Sequence, residues 1–111
     1  MKKAYSYTRI SSRDIRNRKY SIANQKEQIE KYCTANGYTL TETFDDFLPP
    51  HREMLDCILA RCRQSDAPNV VVIANRNRLA RSKRKQDEIR SYLSQRNIKL
   101  IDLSELGENS K

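Results

Sequence analysis

Five consecutive apolar residues, Val70-Val71-Val72-Ile73-Ala74, leave little freedom in how this chain can fold. A run this short cannot span a bilayer, which needs about 20 apolar residues. Its lack of alternation is the pattern of a central parallel strand buried on both faces. Ala67-Pro68-Asn69 turns into it, and a strongly basic stretch follows it. Parallel neighbours must be reached by crossover helices, and the flanking sequence offers them.

Residues 3–10 read as a strand, with Tyr5 and Tyr7 on one face and Ala4, Ser6 and Thr8 on the other, both faces partly covered. Residues 11–20 are polar and basic without periodicity and read as a mobile loop. Ser21 is an N-cap candidate for a helix whose Ile22, Gln25, Ile29, Tyr32, Cys33 and Asn36 share one side, stopped at Asn36-Gly37. Tyr38–Phe47 alternates and carries threonines, as in a half-covered edge strand that ends at Asp45 and Asp46. Pro49-Pro50 precedes a helix expected from Arg52 to Gln64, with Met54, Leu55, Ile58, Leu59 and Cys62 as its apolar stripe. After the charged segment 75–85 comes a helix bearing Ile89, Tyr92, Leu93 and Arg96, then a strand over Ile98–Leu103. The tail 104–111 lacks apolar periodicity and is expected to fray. The order β-α-β-α-β-α-β predicts a three-layer α/β domain with a mostly parallel sheet, right-handed crossovers and helices on both faces.

At 111 residues the chain holds one domain. Its formal net charge of +8 favours a polyanionic partner, nucleic acid before an anionic membrane surface. Neither a spanning segment nor a signal-peptide core is present, so a cytoplasmic protein is expected. Cys33, Cys57 and Cys62 lack metal-site spacing, His51 does not complete one, and the cysteines read as reduced core thiols, Cys57 the less buried of the helix pair. With no GxGxxG, no GxxxxGK[ST] and only Gly37 and Gly107, dinucleotide and nucleoside-triphosphate sites are not expected.

In a parallel sheet the loops after residues 10, 47 and 74 emerge at the same edge, where ligands of open α/β sheets bind. They carry Ser11 and Ser12; Asp45, Asp46 and Arg52; and Arg76, Asn77, Arg78 and Arg81. A serine hydroxyl needs activation to attack at neutral pH, and no histidine or glutamate stands ready as a base. Arginines can supply much of the help, because the guanidinium fork grips phosphate oxygens and stays charged. Hydroxyl and guanidiniums together fit attack on a phosphodiester. Asp45-Asp46 could bind Mg²⁺, but a carboxylate pair at a strand end is more often solvated or paired to arginine.

These residues resemble the serine recombinases of the resolvase and invertase type, over residues 4 to about 103. The anchors are Tyr7-x-Arg9-Ile10-Ser11-Ser12, Ser21-Ile22 with Asn24-Gln25, Phe44-x-Asp46, Arg52 with Leu55-Asp56, and Arg78-Leu79-Ala80-Arg81-Ser82. The resemblance implies a resolvase-like catalytic domain over 1–103, with four or five mostly parallel strands. It implies that Ser11 attacks a DNA phosphodiester, keeps the 5′-phosphate and releases a 3′-hydroxyl, with Ser12 a bystander. Arg9, Arg52, Arg78 and Arg81 would bind the scissile phosphate, supported by Tyr7, Gln25, Asp46 and Asn77. Arg76, Lys83, Arg84 and Lys85 would touch the DNA backbone, the alternative for each being a solvated surface charge. In the family neither metal nor nucleotide cofactor is consumed, DNA is the partner, and the full-length protein forms dimers and tetramers. Such proteins are encoded by bacteria, phages and mobile elements.

The sequence departs from the family in two places. Asn77 stands where an aspartate usually precedes the Arg-Leu-x-Arg motif, and Leu48-Pro49-Pro50-His51 makes the loop before Arg52 short. These support a second reading, a catalytically impaired recombinase-like domain that binds DNA or regulates an oligomer. The family's dimerisation helix and separate DNA-binding module are not recognised before Lys111, so the expectation is a domain from a longer recombinase, weak in DNA binding and inactive alone. A naturally short protein is the other possibility.

Overall fold

The computed structural model describes residues 2–10, 21–47 and 53–109, with side chains to residue 106. In chain order these form β1 (Lys2–Ile10), α1 (Ile22–Ala35), β2 (Tyr38–Phe47), α2 (Glu53–Arg61), β3 (Val70–Ile73), a single 3₁₀ turn (Arg76–Arg78), α3 (Lys83–Ser94), β4 (Lys99–Asp102) and α4 (Leu103–Asn109). The four strands lie in the order β2-β1-β3-β4, and every neighbouring pair is parallel. The expected three-layer α/β architecture is present, and β2 is an edge strand as its alternation predicts.

The two faces of the sheet each bury a helical layer. Tyr5, Tyr7, Phe44, Val71 and Ile73 pack against Leu55, Ile58 and Cys62 from the α2 region and against Ile89 and Leu93 of α3. On the opposite face Ala4, Val70, Val72 and Ile101 meet Ile29 and Cys33 of α1. Period-two side-chain alternation along β1 and β3 therefore feeds both clusters. The central position of β1, between β2 and β3, explains why both of its faces are covered.

Local chemistry sets the ends of the helices. Ser21 Oγ accepts from Asn24 N at 3.1 Å, an N-cap worth about 1 kcal/mol. At the other end Asn36 Nδ2 donates to Tyr32 O at 2.8 Å, and Gly37 takes φ +75°, the left-handed conformation that glycine adopts without a Cβ penalty. Several boundaries differ from expectation. Helix α2 stops at Arg61, because residues 62–66 turn toward β3. Strand β4 ends at Asp102, not Leu103. The segment expected to fray is helical from Leu103, because Asp102 Oδ1 accepts from both Ser104 N (2.9 Å) and Ser104 Oγ (2.6 Å) and starts α4. Cys33 and Cys62 are buried free thiols, whereas Cys57 is exposed: it is the less buried of the helix pair, as expected, but not a core thiol. Burial pushes the Cys62 thiol up to about 11. Among the described residues no helix is long and apolar enough to cross a membrane.

Candidate active site at the carboxyl edge of the sheet

Because all strands are parallel, their carboxyl ends share one edge. From β1 the chain moves outward to β2, then crosses to β3 and on to β4, so the direction of winding reverses between β1 and β3. That switch point is where an open α/β sheet leaves a crevice. Ile10 ends β1 there, and the turn Arg76–Arg78 follows β3 there.

The main chain at the end of β1 is clamped from both layers. Gln25 of α1, 2 % exposed, accepts from Arg9 N through Oε1 at 3.3 Å and donates to Arg9 O through Nε2 at 3.0 Å. Arg78 Nη1 donates to the same carbonyl at 2.9 Å. One amide side chain thus satisfies both backbone groups where β1 runs out, and a guanidinium is held against them. Arg9 and Arg78 are 9 % and 7 % exposed, so both charges are drawn close to the sheet edge and away from bulk water. Burial of this kind strengthens the pull on an incoming anion, since the effective dielectric falls.

Tyr7 and the acidic pair form a second layer beneath. Tyr7 Oη donates to Asp46 Oδ2 at 2.7 Å, and Asp46 also accepts from Met54 N (3.1 Å) and Leu55 N (3.3 Å). Its carboxylate therefore caps the amino end of α2, where unpaired amides and the helix dipole favour negative charge. Asp45 accepts from Thr8 Oγ1 and pairs with Lys26 Nζ at 3.1 Å. Among the described residues the two carboxylates are thus held by a lysine, two hydroxyls and backbone amides. Among the described residues no three His, Cys, Asp or Glu side chains gather as metal ligands.

The turn after β3 sorts its residues by direction. Asn75 Oδ1 accepts from Asn77 N at 3.1 Å and begins the turn, Leu79 enters the core at 1 % exposure, and Arg78 faces β1. Asn77 and Arg81 are exposed. Gln86 of α3, also buried, donates to Ala80 O at 2.8 Å and fixes the chain just before Arg81. Arg76 is partnered, its Nε 2.9 Å from Glu105 Oε1 and 3.5 Å from Asp102 Oδ2. Donating to the Glu105 carboxylate raises the Arg76 pKa, and accepting from Arg76 lowers that of Glu105. Lys83, Arg84 and Lys85 lie exposed on the first turn of α3, behind the Ser82 N-cap, with Glu88 3.5 Å from Arg84 and 3.7 Å from Lys85.

Of the residues nominated by sequence, Arg9, Gln25 and Arg78 are joined directly, and so are Tyr7 and Asp46. Ser11, Ser12 and Arg52 lie outside the described residues, as does the loop 11–20. Sequence reading missed Lys26, Thr8, Asn75 and Gln86. Gln86 alone left a trace, since it precedes Ile89 and Leu93 at helical spacing on the buried side of α3. The arrangement offers two buried guanidiniums and a set of exposed cations at one edge, which suits a phosphate anion.

Comparison with known proteins points the same way. The family model described as Resolvase, N terminal domain, matches residues 4–111. The crystal structure of the N-terminal catalytic domain of TP901-1 integrase superposes with a TM-score of 0.81 at 25% identity, covering 94% of this chain and 78% of that one. A resolvase family site-specific recombinase from Streptococcus pneumoniae gives 0.82 at 20% identity, covering 95% and 74%. The C-terminal catalytic domain of ISC1926 TnpA, an IS607-like serine recombinase, gives 0.74 at 23% identity, covering 90% and 66%. The latter two likenesses show the fold alone. No curated protein matches the sequence at a significant level. With the family model spanning nearly the whole chain and the arginine motif seated at the switch point, the chain belongs to the resolvase N-terminal domain family, the catalytic domains of serine recombinases.

Proposed function

We propose that this domain cleaves and rejoins DNA through Ser11. The Ser11 oxygen attacks a phosphodiester phosphorus and the P–O3′ bond breaks. A 5′-phosphoserine forms, and the serine proton is balanced by protonation of the departing 3′-oxygen. The phosphoserine bond keeps the energy needed for rejoining, so the reverse attack by a 3′-hydroxyl restores the serine. Arg9, Arg52, Arg78 and Arg81 hold the scissile phosphate and stabilise the pentacoordinate transition state, where preorganised charge does most good. Tyr7, Gln25, Asp46 and Asn77 support them, and Lys83, Arg84 and Lys85 add salt-dependent contacts to the backbone. DNA is the partner, and strand exchange proceeds in a homodimer or homotetramer in the cytoplasm.

The observation that carries this reading is the convergence of buried Arg78 on the Arg9 carbonyl, two residues before Ser11. The test is a trapping assay in which the full-length protein meets a nicked DNA site from which the cleaved fragment diffuses away. A covalent protein–DNA adduct is expected, and it should vanish in Ser11→Ala. DNA binding without any adduct would instead favour a regulatory module without chemistry.

A further inference from the structure

The turn that presents Arg78 is gripped from its far side by Arg76. Arg76 opens the 3₁₀ turn, and its Nε and Nη2 lie 2.9 Å and 2.5 Å from Glu105 Oε1. Asp102 Oδ2 is 3.5 Å from the same Nε, and the Asp102 side chain is only 2 % exposed. Arg90 Nη2 of α3 approaches Glu105 Oε1 at 3.4 Å. The junction is tied further by Ser104 N, which donates to Ala74 O at 3.0 Å as well as to Asp102. Arg76 thus links the ends of β3 and β4 to the first turn of α4.

The link reaches Arg78 through the backbone. Arg78 N donates to Asn75 O at 3.1 Å and Leu79 N to Arg76 O at 3.0 Å, so the turn moves as one unit. Displacing the Arg76 main chain therefore displaces the Arg78 side chain from Arg9 O. A guanidinium suits this task because its fork engages two carboxylates at once in a fixed plane.

We propose that Arg76 is a positioning residue: clamped between Asp102 and Glu105, it holds the arginine turn against the end of β1 and makes the first turn of α4 a structural part of the phosphate-binding edge. This rests on the reading of Arg78 as a phosphate-binding group. It assigns Arg76 an internal role in place of the DNA-backbone contact expected from sequence.

The experiment measures amide hydrogen exchange at Arg78 and Leu79 in the full-length protein, beside the rate of adduct formation on nicked DNA. Glu105→Gln leaves buried Asp102 with its cation and is the mild variant. It is expected to speed exchange at both amides and to slow adduct formation at saturating DNA, each by roughly three- to tenfold, with DNA affinity unchanged. Arg76→Ala should go further, and Arg76→Lys should recover part of the loss. Glu42→Gln removes a similarly half-exposed ion pair with Arg61 on edge strand β2, and should leave both readouts at wild-type values. Unchanged exchange at Arg78 and Leu79 in both Arg76→Ala and Glu105→Gln would overturn the proposal. A wild-type protein forming no Ser11-dependent adduct would overturn the functional reading instead, and the exchange data would still decide the role of Arg76.

Discussion

Gln25 sits in α1 at a position where helical spacing alone calls for an apolar side chain, and its amide lies buried against the Arg9 main chain. Gln25→Leu keeps the volume but strips Arg9 N–H of its partner and leaves Arg9 O with Arg78 only. An unsatisfied buried amide costs about 1–3 kcal/mol, so urea unfolding should show a loss of about 2 kcal/mol. The same substitution loosens the residue two positions before Ser11, and adduct formation should slow by about an order of magnitude or more, as small misplacements at reacting centres do. Sequence reading reached Arg9, Arg78 and Gln25 because the motif marks them. It could not reach Lys26 or Asn75, whose roles depend on which acid or amide the fold carries past them. Asp46 shows the limit differently: the sequence marks a carboxylate at a strand end, but only the packed structure turns it into the cap of α2.

The strands and the first three helices were legible because β3 is an unbroken apolar run buried on both faces, β2 alternates as an edge strand, and α1, α2 and α3 carry apolar stripes at helical spacing. Helix α4 was not, since nothing periodic in residues 103–109 announces it. Its start is fixed by the Asp102 side chain and by the Arg76–Glu105 pair, contacts made across the fold. The same ion pair gives a pH signature. Hydrogen bonds from Arg61 and Arg76 lower the pKa values of Glu42 and Glu105, respectively, below their ordinary 4.5. Each pair therefore stabilises the fold above that value, and the contribution is lost as pH falls through the lower, folded-state pKa. Thermal unfolding followed across pH 3–6 should show the midpoint dropping below about pH 4.5, a drop reduced in the double variant Glu42→Gln, Glu105→Gln. Both glutamates are more than a third exposed, so solvent screening keeps the effect modest.

At the scale of the whole molecule, strand order β2-β1-β3-β4 is what turns a basic sequence into a basic edge. The net charge of +8 predicts a polyanionic partner without saying where it binds, and the proposed place is the switch point between β1 and β3. Exposed Lys83, Arg84 and Lys85 extend that edge along α3. Replacing Lys83 by alanine should weaken binding alike for all sequences and flatten the plot of log affinity against log salt by about 0.9, measured by fluorescence anisotropy. In the proposed reaction the chemistry turns on one oxygen atom, that of Ser11. Peptide mapping by mass spectrometry of the protein trapped on nicked DNA tests it most directly. The account predicts a 5′-phosphoryl-linked nucleotide on Ser11, absent in Ser11→Ala and reduced at least a hundredfold in Arg78→Ala, as expected on losing a preorganised transition-state contact. A nucleotide attached to any other residue, or an adduct that survives Ser11→Ala, would contradict it.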